Sequence, residues 1–300
     1  MRLICSLIFT LLLCTPVLAQ TITDDSGRTI TFDHPFTRII SLYAAHSENL
    51  FNLGLDDEVI GVTQNEDYPL HAKEKTAYNA RDGVERFLAA KPDLIIIRPM
   101  LNQGHSRLWA ALERNGITVV SLQPNTIEEM YEYWRTLAKL TGQEVQAESM
   151  VADFKSGLGR VEQRLTAFPK SERPGVFFES IHRKLSTFSP DSMPLFVLKM
   201  AGGINVATDA KSRNGTNIAS YGLERLLAKS AGIDVYLAQY GAMNEVDVHT
   251  IMNGPASSRI KAVRDGNVFL VDERLVSRPT MRLLTGINTL HGLLHPTITR

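Results

Sequence analysis

The amino-acid sequence predicts an α/β protein of two lobes joined by one long helix. Short apolar runs alternate with helical patterns in both halves of the 300-residue chain, the order that is typical of helix-covered parallel sheets. An unbroken amphipathic pattern separates the halves, and one phrase occurs in each: "DGVERFLAAKPDLIII" from Asp82 and "YGLERLLAKSAGIDVYLA" from Tyr221. We therefore expect a first lobe over residues 20–142, a connecting helix over 143–168 and a second lobe over 169–300.

The first lobe opens with a predicted hairpin, in which "TIT" and "TITF" flank the turn "DDSGR". Strand-like apolar runs follow at 38–41, 59–62, 94–97 and 118–122. Between them, helical patterns end at Gly54 and Gly116, and Thr126 is placed to cap a helix that has acidic residues in its first turn. This alternation indicates a parallel sheet.

The connecting helix is predicted from Glu144 to about Leu165. Its apolar residues recur at spacings near three and four, and it contains no proline until Pro169, which follows Phe168. At 1.5 Å per residue such a helix is roughly 33 Å long.

The second lobe repeats the strand and helix alternation. Strand-like runs lie at 176–179, 233–238 and 268–271, and helical patterns lie near 193–200, 223–229 and 280–294. The two copies of the repeated phrase therefore occupy equivalent places in the two lobes.

The first nineteen residues have the pattern of a cleaved secretory signal peptide. Arg2 precedes an apolar stretch that ends in "VLA" at Ala19. Both cysteines, Cys5 and Cys14, lie in this segment, so a mature chain beginning at Gln20 would have no thiol. We expect an exported, soluble periplasmic protein; lipidation of Cys14 would instead tether it to a membrane.

Composition argues against several functions. Basic and acidic residues number 32 each, a balance without the basic excess of nucleic-acid-binding proteins. The sequence contains no G-x-S-x-G, H-E-x-x-H, P-loop or dinucleotide motif. We predict a monomer that is not an enzyme and that needs no cofactor or resident metal ion.

Several stretches together resemble the helical-backbone substrate-binding proteins of ABC importers, which take up ferric siderophores, cobalamin, haem and metal complexes. They are "RIISLYAAHSENLFNLGLDDEVIGVT" from Arg38, "VERFLAAKPDLIII", the connecting helix, "MAGGINVA" from Met200 and "RPTMRLLTGINTLHGLLHP" from Arg278. The resemblance covers essentially the whole mature chain. It implies two α/β sandwich lobes with the ligand in the cleft between them, and small closing motions.

The resemblance also implies a role for the repeated phrase. Each lobe of these proteins offers one surface glutamate to arginines of a dimeric inner-membrane permease, which works with an ATPase. The two positions fall on Glu85 and Glu224. A charge-assisted pair at each lobe would grip one half of the permease dimer.

Candidate ligand contacts come from loops that follow predicted strands, because such loops line a cleft between lobes. We expect these contacts at Tyr43, His46, Arg98, His105, Arg183, Arg213, Tyr240 and Arg278. Several arginines in one cleft suit an anionic ligand. We predict an iron chelate, most simply a ferric siderophore. Haem, cobalamin, a free metal ion, an oxoanion and a ligand sensor without a transport role remain alternatives.

Overall fold

The computed structural model describes residues 19–166, 168–212 and 216–296. The signal peptide, apart from Ala19, lies outside these residues, as do Cys5, Cys14 and the candidate contact Arg213. The two-lobed α/β architecture predicted above is confirmed. Within the described part of the chain, no helix has the length and hydropathy of a membrane span.

The first lobe contains a hairpin, a five-stranded parallel sheet in the order β5-β4-β3-β6-β7, and the helices that cover it. Its strands are β1 (Gln20–Thr23), β2 (Thr29–Phe32), β3 (Ile39–Ser41), β4 (Val59–Thr63), β5 (Thr76–Tyr78), β6 (Leu94–Ile97) and β7 (Thr118–Ser121). Its helices are α1 (Ala44–Asn52), α2 (Val84–Ala90), α3 (Pro99–Gly104), α4 (Ser106–Arg114) and α5 (Ile127–Thr141). Because all five sheet strands are parallel, their carboxyl ends meet at one edge, where ligands of α/β proteins commonly bind.

The connecting helix α6 (Glu144–Leu165) has 22 residues, as the apolar spacing predicted. It follows α5 closely, because Gly142 adopts a left-handed conformation (φ 71°) that ends α5. Phe154 of α6 is buried and packs edge-on against the Trp134 ring at 5.6 Å. The same apolar core includes Leu198 and Leu290 of the second lobe, so α6 shares one core with both lobes.

The second lobe has a mixed sheet in the order β11-β12-β9-β8-β13-β14, with β10 also paired to β8. Its strands are β8 (Gly175–Ile181), β9 (Ser186–Phe188), β10 (Ile204–Asn205), β11 (Lys211–Ser212), β12 (Ile218–Ser220), β13 (Val235–Tyr240) and β14 (Val268–Asp272). Its helices are α7 (Met193–Met200), α8 (Leu223–Ala228), α9 (Val248–Met252), α10 (Lys261–Arg264), α11 (Glu273–Val276) and α12 (Leu283–Leu294). Strands β8, β13 and β14 are parallel, and β9 and β12 run antiparallel to their neighbours.

Candidate ligand-binding and docking sites

Tyr43 and Arg98 form the centre of the candidate ligand site in the first lobe. They follow β3 and β6, which are neighbouring strands of the parallel sheet. The carboxyl ends of these two strands lie side by side, and this brings the two side chains together. The Arg98 guanidinium lies over the Tyr43 ring, 4.4 Å from its centroid, and Arg98 Nε donates to Gln123 Oε1 at 2.9 Å. This packing holds a cation in a fixed place at the edge of the sheet.

Charged residues of the second lobe also affect the pKa of Tyr43. Burial raises the pKa of the Tyr43 hydroxyl, while the positive charges of Arg98 and Arg278 oppose that rise and Glu273 adds to it. Arg278 and Glu273 belong to the second lobe. The structure therefore brings two of the predicted contacts, Tyr43 and Arg98, into direct contact, and the charge of a third, Arg278, acts on Tyr43 from the second lobe.

The structure corrects the expectation for His46. Helix α1 begins at Ala44, so His46 lies in its first turn and faces the core with a fully buried side chain. Its Nε2–H donates to the Ile97 carbonyl at 3.3 Å, and Nδ1 accepts from the Tyr133 hydroxyl at 2.6 Å. Burial lowers the pKa of His46 to about 3. A neutral ring held between two core partners supports the fold and presents nothing to a ligand in this conformation.

His105 lines a cavity of about 310 Å³ at the carboxyl edge of β3, β4 and β5. It is half-buried, and its ring meets Trp109 edge-on at 6.4 Å between centroids. Apolar side chains, the polar Thr63 and Asn79, and the exposed Arg81 complete the wall. The lining residues are Leu42, Thr63, Tyr78, Asn79, Ala80, Arg81, Leu101 and His105.

The second lobe places Arg183 and Tyr240 at the carboxyl ends of β8 and β13. Arg183 is exposed in a turn after β8, and Tyr240 is 41% exposed. The loop after Tyr240 is held by Glu273, whose carboxylate accepts from the amides of Ala242 at 3.1 Å and Met243 at 3.2 Å. A rigid loop thus presents Tyr240 and Met243 at the same edge.

Arg278 is engaged by an acidic residue of the first lobe. Its Nη1 donates to Asp67 Oδ1 at 2.5 Å, and Arg274 Nη1 donates to Asp67 Oδ2 at 3.0 Å. Arg282 makes three hydrogen bonds to the buried Glu48. Neither acidic residue was among the residues predicted from the sequence, since nothing local marks them as partners of arginines near the other end of the chain.

A buried carboxylate beside Arg183 also escaped the sequence analysis. Glu179 is fully buried near the end of β8, where it accepts hydrogen bonds from the Tyr236 hydroxyl and from His182 Nδ1, the latter at 3.0 Å. The Glu179 carboxylate raises the pKa of His182. The only sequence signal was one acidic residue in the apolar run "VFFES".

The two proposed docking glutamates are exposed and occupy matching positions. Glu85 lies in the first turn of α2, and Glu224 lies in the first turn of α8. The arginine that follows each glutamate packs over a tyrosine: Arg86 lies 5.2 Å from the Tyr78 ring centroid, and Arg225 lies 5.0 Å from the Tyr221 ring centroid.

Backbone contacts complete this repeated arrangement. Arg86 Nη2 donates to the Ala77 carbonyl at 2.7 Å, and Arg225 Nη2 donates to the Ser220 carbonyl at 3.1 Å. Each arginine therefore fastens the start of its helix to the strand before it. The structure thus explains the arginine of the repeated phrase as a structural residue, and the glutamate beside it is exposed.

Among the described residues, no group of three or more His, Cys, Asp or Glu side chains lies together in a way that could hold a metal ion. The candidate site combines arginine with aromatic and apolar side chains.

Comparison with known proteins gives a consistent picture. The sequence profile of the family described as periplasmic binding protein matches residues 39–275. An uncharacterized ABC transporter substrate-binding lipoprotein of Bacillus subtilis, YvrC, is 26% identical over 286 residues, which cover 94% of this chain and 87% of that protein. The vitamin B12-binding protein of Vibrio cholerae is 24% identical over 259 residues, covering 84% and 87%.

Solved structures share the fold. The crystal structure of a possible iron-binding, periplasmic solute-binding protein from Staphylococcus epidermidis aligns with a TM-score of 0.74 at 25% identity, covering 87% of this chain and all of that chain.

Proposed function

Because this chain belongs to the periplasmic binding protein family, we propose that it captures an iron chelate outside the cytoplasm and delivers it to the permease of an ABC importer. Its relatives include ABC-transporter substrate-binding proteins. The observation that carries the choice of ligand is the cationic surface that both lobes build around Tyr43.

The charges of this surface favour an anionic ligand. Arg98 is fixed on the Tyr43 ring, and the positive charge of Arg278, from the other lobe, opposes the rise in the pKa of Tyr43 that burial causes. Arginine does not lose its charge at any physiological pH and offers a planar fork of donors that fits carboxylates and other oxygen anions. Carboxylate and catecholate siderophores carry oxygen anions of this kind around their iron.

Exposed apolar side chains favour a bulky ligand. Met100 follows β6 and is 65% exposed, and Met243 follows β13 and is 53% exposed. Tyr68, in the loop after β4, and Tyr240, the last residue of β13, are also exposed. Flexible thioether and aromatic groups contact large organic surfaces well, so the organic part of a chelate would have partners in both lobes.

A calorimetric titration panel tests the ligand. The purified protein is titrated with ferric catecholate, ferric citrate and ferric hydroxamate chelates, cobalamin, haem, Ni²⁺, Zn²⁺ and sulfate. We expect the tightest binding for an anionic ferric chelate, weakened at least tenfold by Arg98→Gln. Tight binding of a bare ion, with no response to any chelate, contradicts the proposal.

Cobalamin is the second candidate, favoured by the similarity to the Vibrio cholerae vitamin B12-binding protein. Its corrin is rimmed mainly by uncharged amides, so its binding would depend more on the exposed aromatic and thioether groups than on Arg98. If cobalamin binds tightest, and Arg98→Gln has little effect while Tyr240→Ala weakens binding, the second candidate replaces the first.

We further propose that Glu85 and Glu224 dock the permease. Both are exposed at helix starts in equivalent places of the two lobes. Glu85→Ala and Glu224→Ala should lower uptake with unchanged ligand affinity, and the double variant should lower it further. Lysine at either site should be worse than alanine, because it would face arginines of the permease.

Glu144→Ala is the matched control for these variants. Glu144 is also exposed in the first turn of a helix, α6, so its loss removes the same helix-dipole interaction without touching the repeated phrase. Normal uptake by the control and reduced uptake by the docking variants supports the assignment. Equal uptake by the Glu85→Ala, Glu224→Ala double variant and the wild type removes it.

The proposed location is the periplasm, reached through cleavage after Ala19, and the proposed state is a monomer. N-terminal sequencing of the exported protein should begin at Gln20, and light scattering should give the mass of a single chain. A lipid-modified Cys14 at the N-terminus would replace the free periplasmic protein with a membrane-tethered one.

A further inference from the structure

The three arginines at positions 274, 278 and 282 differ in how their charges are neutralised. Arg282 is paired with Glu48, whose carboxylate is buried. Arg274 holds Asp272 through Nε and Nη2, and it reaches Asp67 with Nη1. For Arg278, Asp67 is the one carboxylate within 4 Å among the described residues.

Asp67 is therefore the shared anion of this cluster. Its side chain is 13% exposed, and its carboxylate meets Arg278 at 2.5 Å, Arg274 at 3.0 Å and Arg282 at 3.7 Å. Three cations converge on one carboxylate, which is the arrangement of an anion-binding site. The occupant of that site is supplied by the protein itself.

Asp67 is also linked to the first-lobe residues of the candidate ligand site. Its neighbour Glu66 accepts from Ser47 Oγ at 2.7 Å, and the same hydroxyl lies 3.5 Å from the carbonyl oxygen of Tyr43, on whose ring Arg98 packs. Asp67 comes from an irregular segment after β4, in which Gln64, Asn65 and Tyr68 are exposed. A rotation of the Asp67 side chain would uncover Arg278 toward the same surface.

The lobes remain joined when Asp67 turns away. The Glu48–Arg282 pair does not involve Asp67, and the Pro279 carbonyl accepts from Asn49 Nδ2 at 2.9 Å and from Trp134 Nε1 at 3.3 Å. The backbone beside Asp67 is held as well, because Glu66 accepts a hydrogen bond from Ser47 Oγ at 2.7 Å. Rotation of the Asp67 side chain would therefore break its own ion pairs and leave the other contacts between the lobes in place.

We infer that Asp67 is an internal competitor, which occupies an anion site formed by Arg274 and Arg278 and is displaced by a carboxylate or similar oxygen anion of the ligand. A guanidinium binds any carboxylate in the same geometry, so an incoming anion replaces Asp67 without new partners. The competitor lowers the affinity for every anion and selects those that engage Arg98 at the same time. The identification of the anion as part of a chelate rests on the proposed function.

Citrate is the test anion, because it carries several carboxylates and requires no knowledge of the natural ligand. Its affinity is measured by calorimetry at fixed ionic strength for the wild type, Asp67→Asn and Asp67→Ala. We expect citrate to bind at least tenfold more tightly to both variants than to the wild type. Asp67→Asn keeps the shape of the side chain, so it serves if Asp67→Ala does not fold.

Two controls separate this inference from a general effect of charge. The first control is Glu132→Ala, which removes the carboxylate that pairs with Arg135 at 2.7 Å, far in sequence from the Asp67 cluster. The citrate affinity of this variant should equal that of the wild type. Adding Arg278→Gln to Asp67→Asn should abolish the gain.

Unchanged citrate affinity in Asp67→Asn overturns the inference, and so does a gain that persists in the Asp67→Asn, Arg278→Gln double variant. These results are independent of the titration panel above. If the protein binds no chelate in the panel, the proposed function is wrong, but the anion site can still be present. If the protein binds a chelate and Asp67→Asn does not bind citrate more tightly, only the role of Asp67 as a competitor is wrong.

Discussion

The guanidinium of Arg282 donates hydrogen bonds to both carboxylate oxygens of Glu48 and thereby joins the start of α12 to α1. Arg282 Nε lies 2.9 Å from Glu48 Oε1 and 3.0 Å from Oε2, and Nη2 lies 2.5 Å from Oε2. The Glu48 side chain is 1% exposed and that of Arg282 is 17% exposed. The two residues are 234 positions apart, so this pair ties the lobes together.

Removal of one partner should destabilise the protein strongly. Glu48→Gln leaves the Arg282 charge poorly compensated in a largely dry site, and breaking a buried pair in this way costs about 3 to 5 kcal/mol. Urea denaturation measures the loss. The double variant Glu48→Gln, Arg282→Met should lose less than the sum of the two single variants, because it removes both charges; strict additivity would show that the pair is not coupled.

The pH dependence of stability should contain a contribution from Glu66. This side chain is 7% exposed, and Oε2 is buried without a hydrogen-bond partner among the described residues. Burial raises the pKa of Glu66 to about 7, against hydrogen bonds from Ser47 and Thr63 that lower it. The folded protein therefore holds the proton more tightly than the unfolded chain, where a glutamate titrates near 4.5.

The sign follows from this difference. The stabilising effect of the Glu66 proton is complete below about pH 4.5 and is lost as the pH rises through about 7. Glu66→Gln mimics the protonated form, so it should become more stable relative to the wild type between pH 5 and pH 8, by about 3 kcal/mol at most. Because His46 and other groups titrate in both proteins, the difference between the two isolates Glu66. A difference independent of pH contradicts the assignment.

Local sequence patterns predicted most of the helices and strands. The apolar spacing of α6 gave both of its ends, since a helix of 22 residues repeats its period many times. Strands β9 and β12 were not predicted, because each has three residues and, unlike β3, neither stands out as an apolar run: their sequences are "STF" and "IAS". Their antiparallel pairing makes the second sheet mixed where local strand and helix alternation suggested a parallel one.

The site was harder to predict because its partners are distant in sequence. The loops that carry Tyr43, Arg98 and Arg278 were identified from strand ends, and the structure places Arg98 on the ring of Tyr43. The prediction for His46 was wrong. Helix α1 begins at Ala44, two residues before His46, and this directs the His46 ring into the core. Asp67 pairs with arginines 207 and 211 positions away, and no local pattern reports such a contact.

The arginine of the repeated phrase should position Glu224, for which we propose the docking role. Arg225 packs over Tyr221 and donates from Nε to the Tyr221 carbonyl at 2.9 Å, and lysine cannot reproduce this planar contact. Arg225→Lys should therefore reduce permease binding or uptake several-fold with unchanged ligand affinity. Adding it to Glu224→Ala should cause no further loss, because the residue to be positioned is already absent. An additive loss would assign Arg225 an independent role.

Gly286 sets the distance between α11 and α12, the two helices whose ends carry the arginine cluster. A Cβ atom at Gly286 would lie 2.0 Å from the Leu275 carbonyl oxygen, which belongs to the backbone of α11 and cannot rotate away. Gly286→Ala should therefore push the helices apart and destabilise the protein by about 3 kcal/mol, at the upper end of the cost of overpacking. Urea denaturation measures this cost.

Gly292 provides the matched control on the same helix. A Cβ atom there meets no atom within 4 Å, so Gly292→Ala should leave stability unchanged or raise it by up to about 1 kcal/mol through helix propensity. The displaced helices should also move Arg274 and Arg282, which flank the contact, away from Asp67 and Glu48. Citrate affinity should then change in Gly286→Ala and stay constant in Gly292→Ala. Equal stability of the two variants would mean that α11 and α12 do not pack as closely as the Gly286 contact requires.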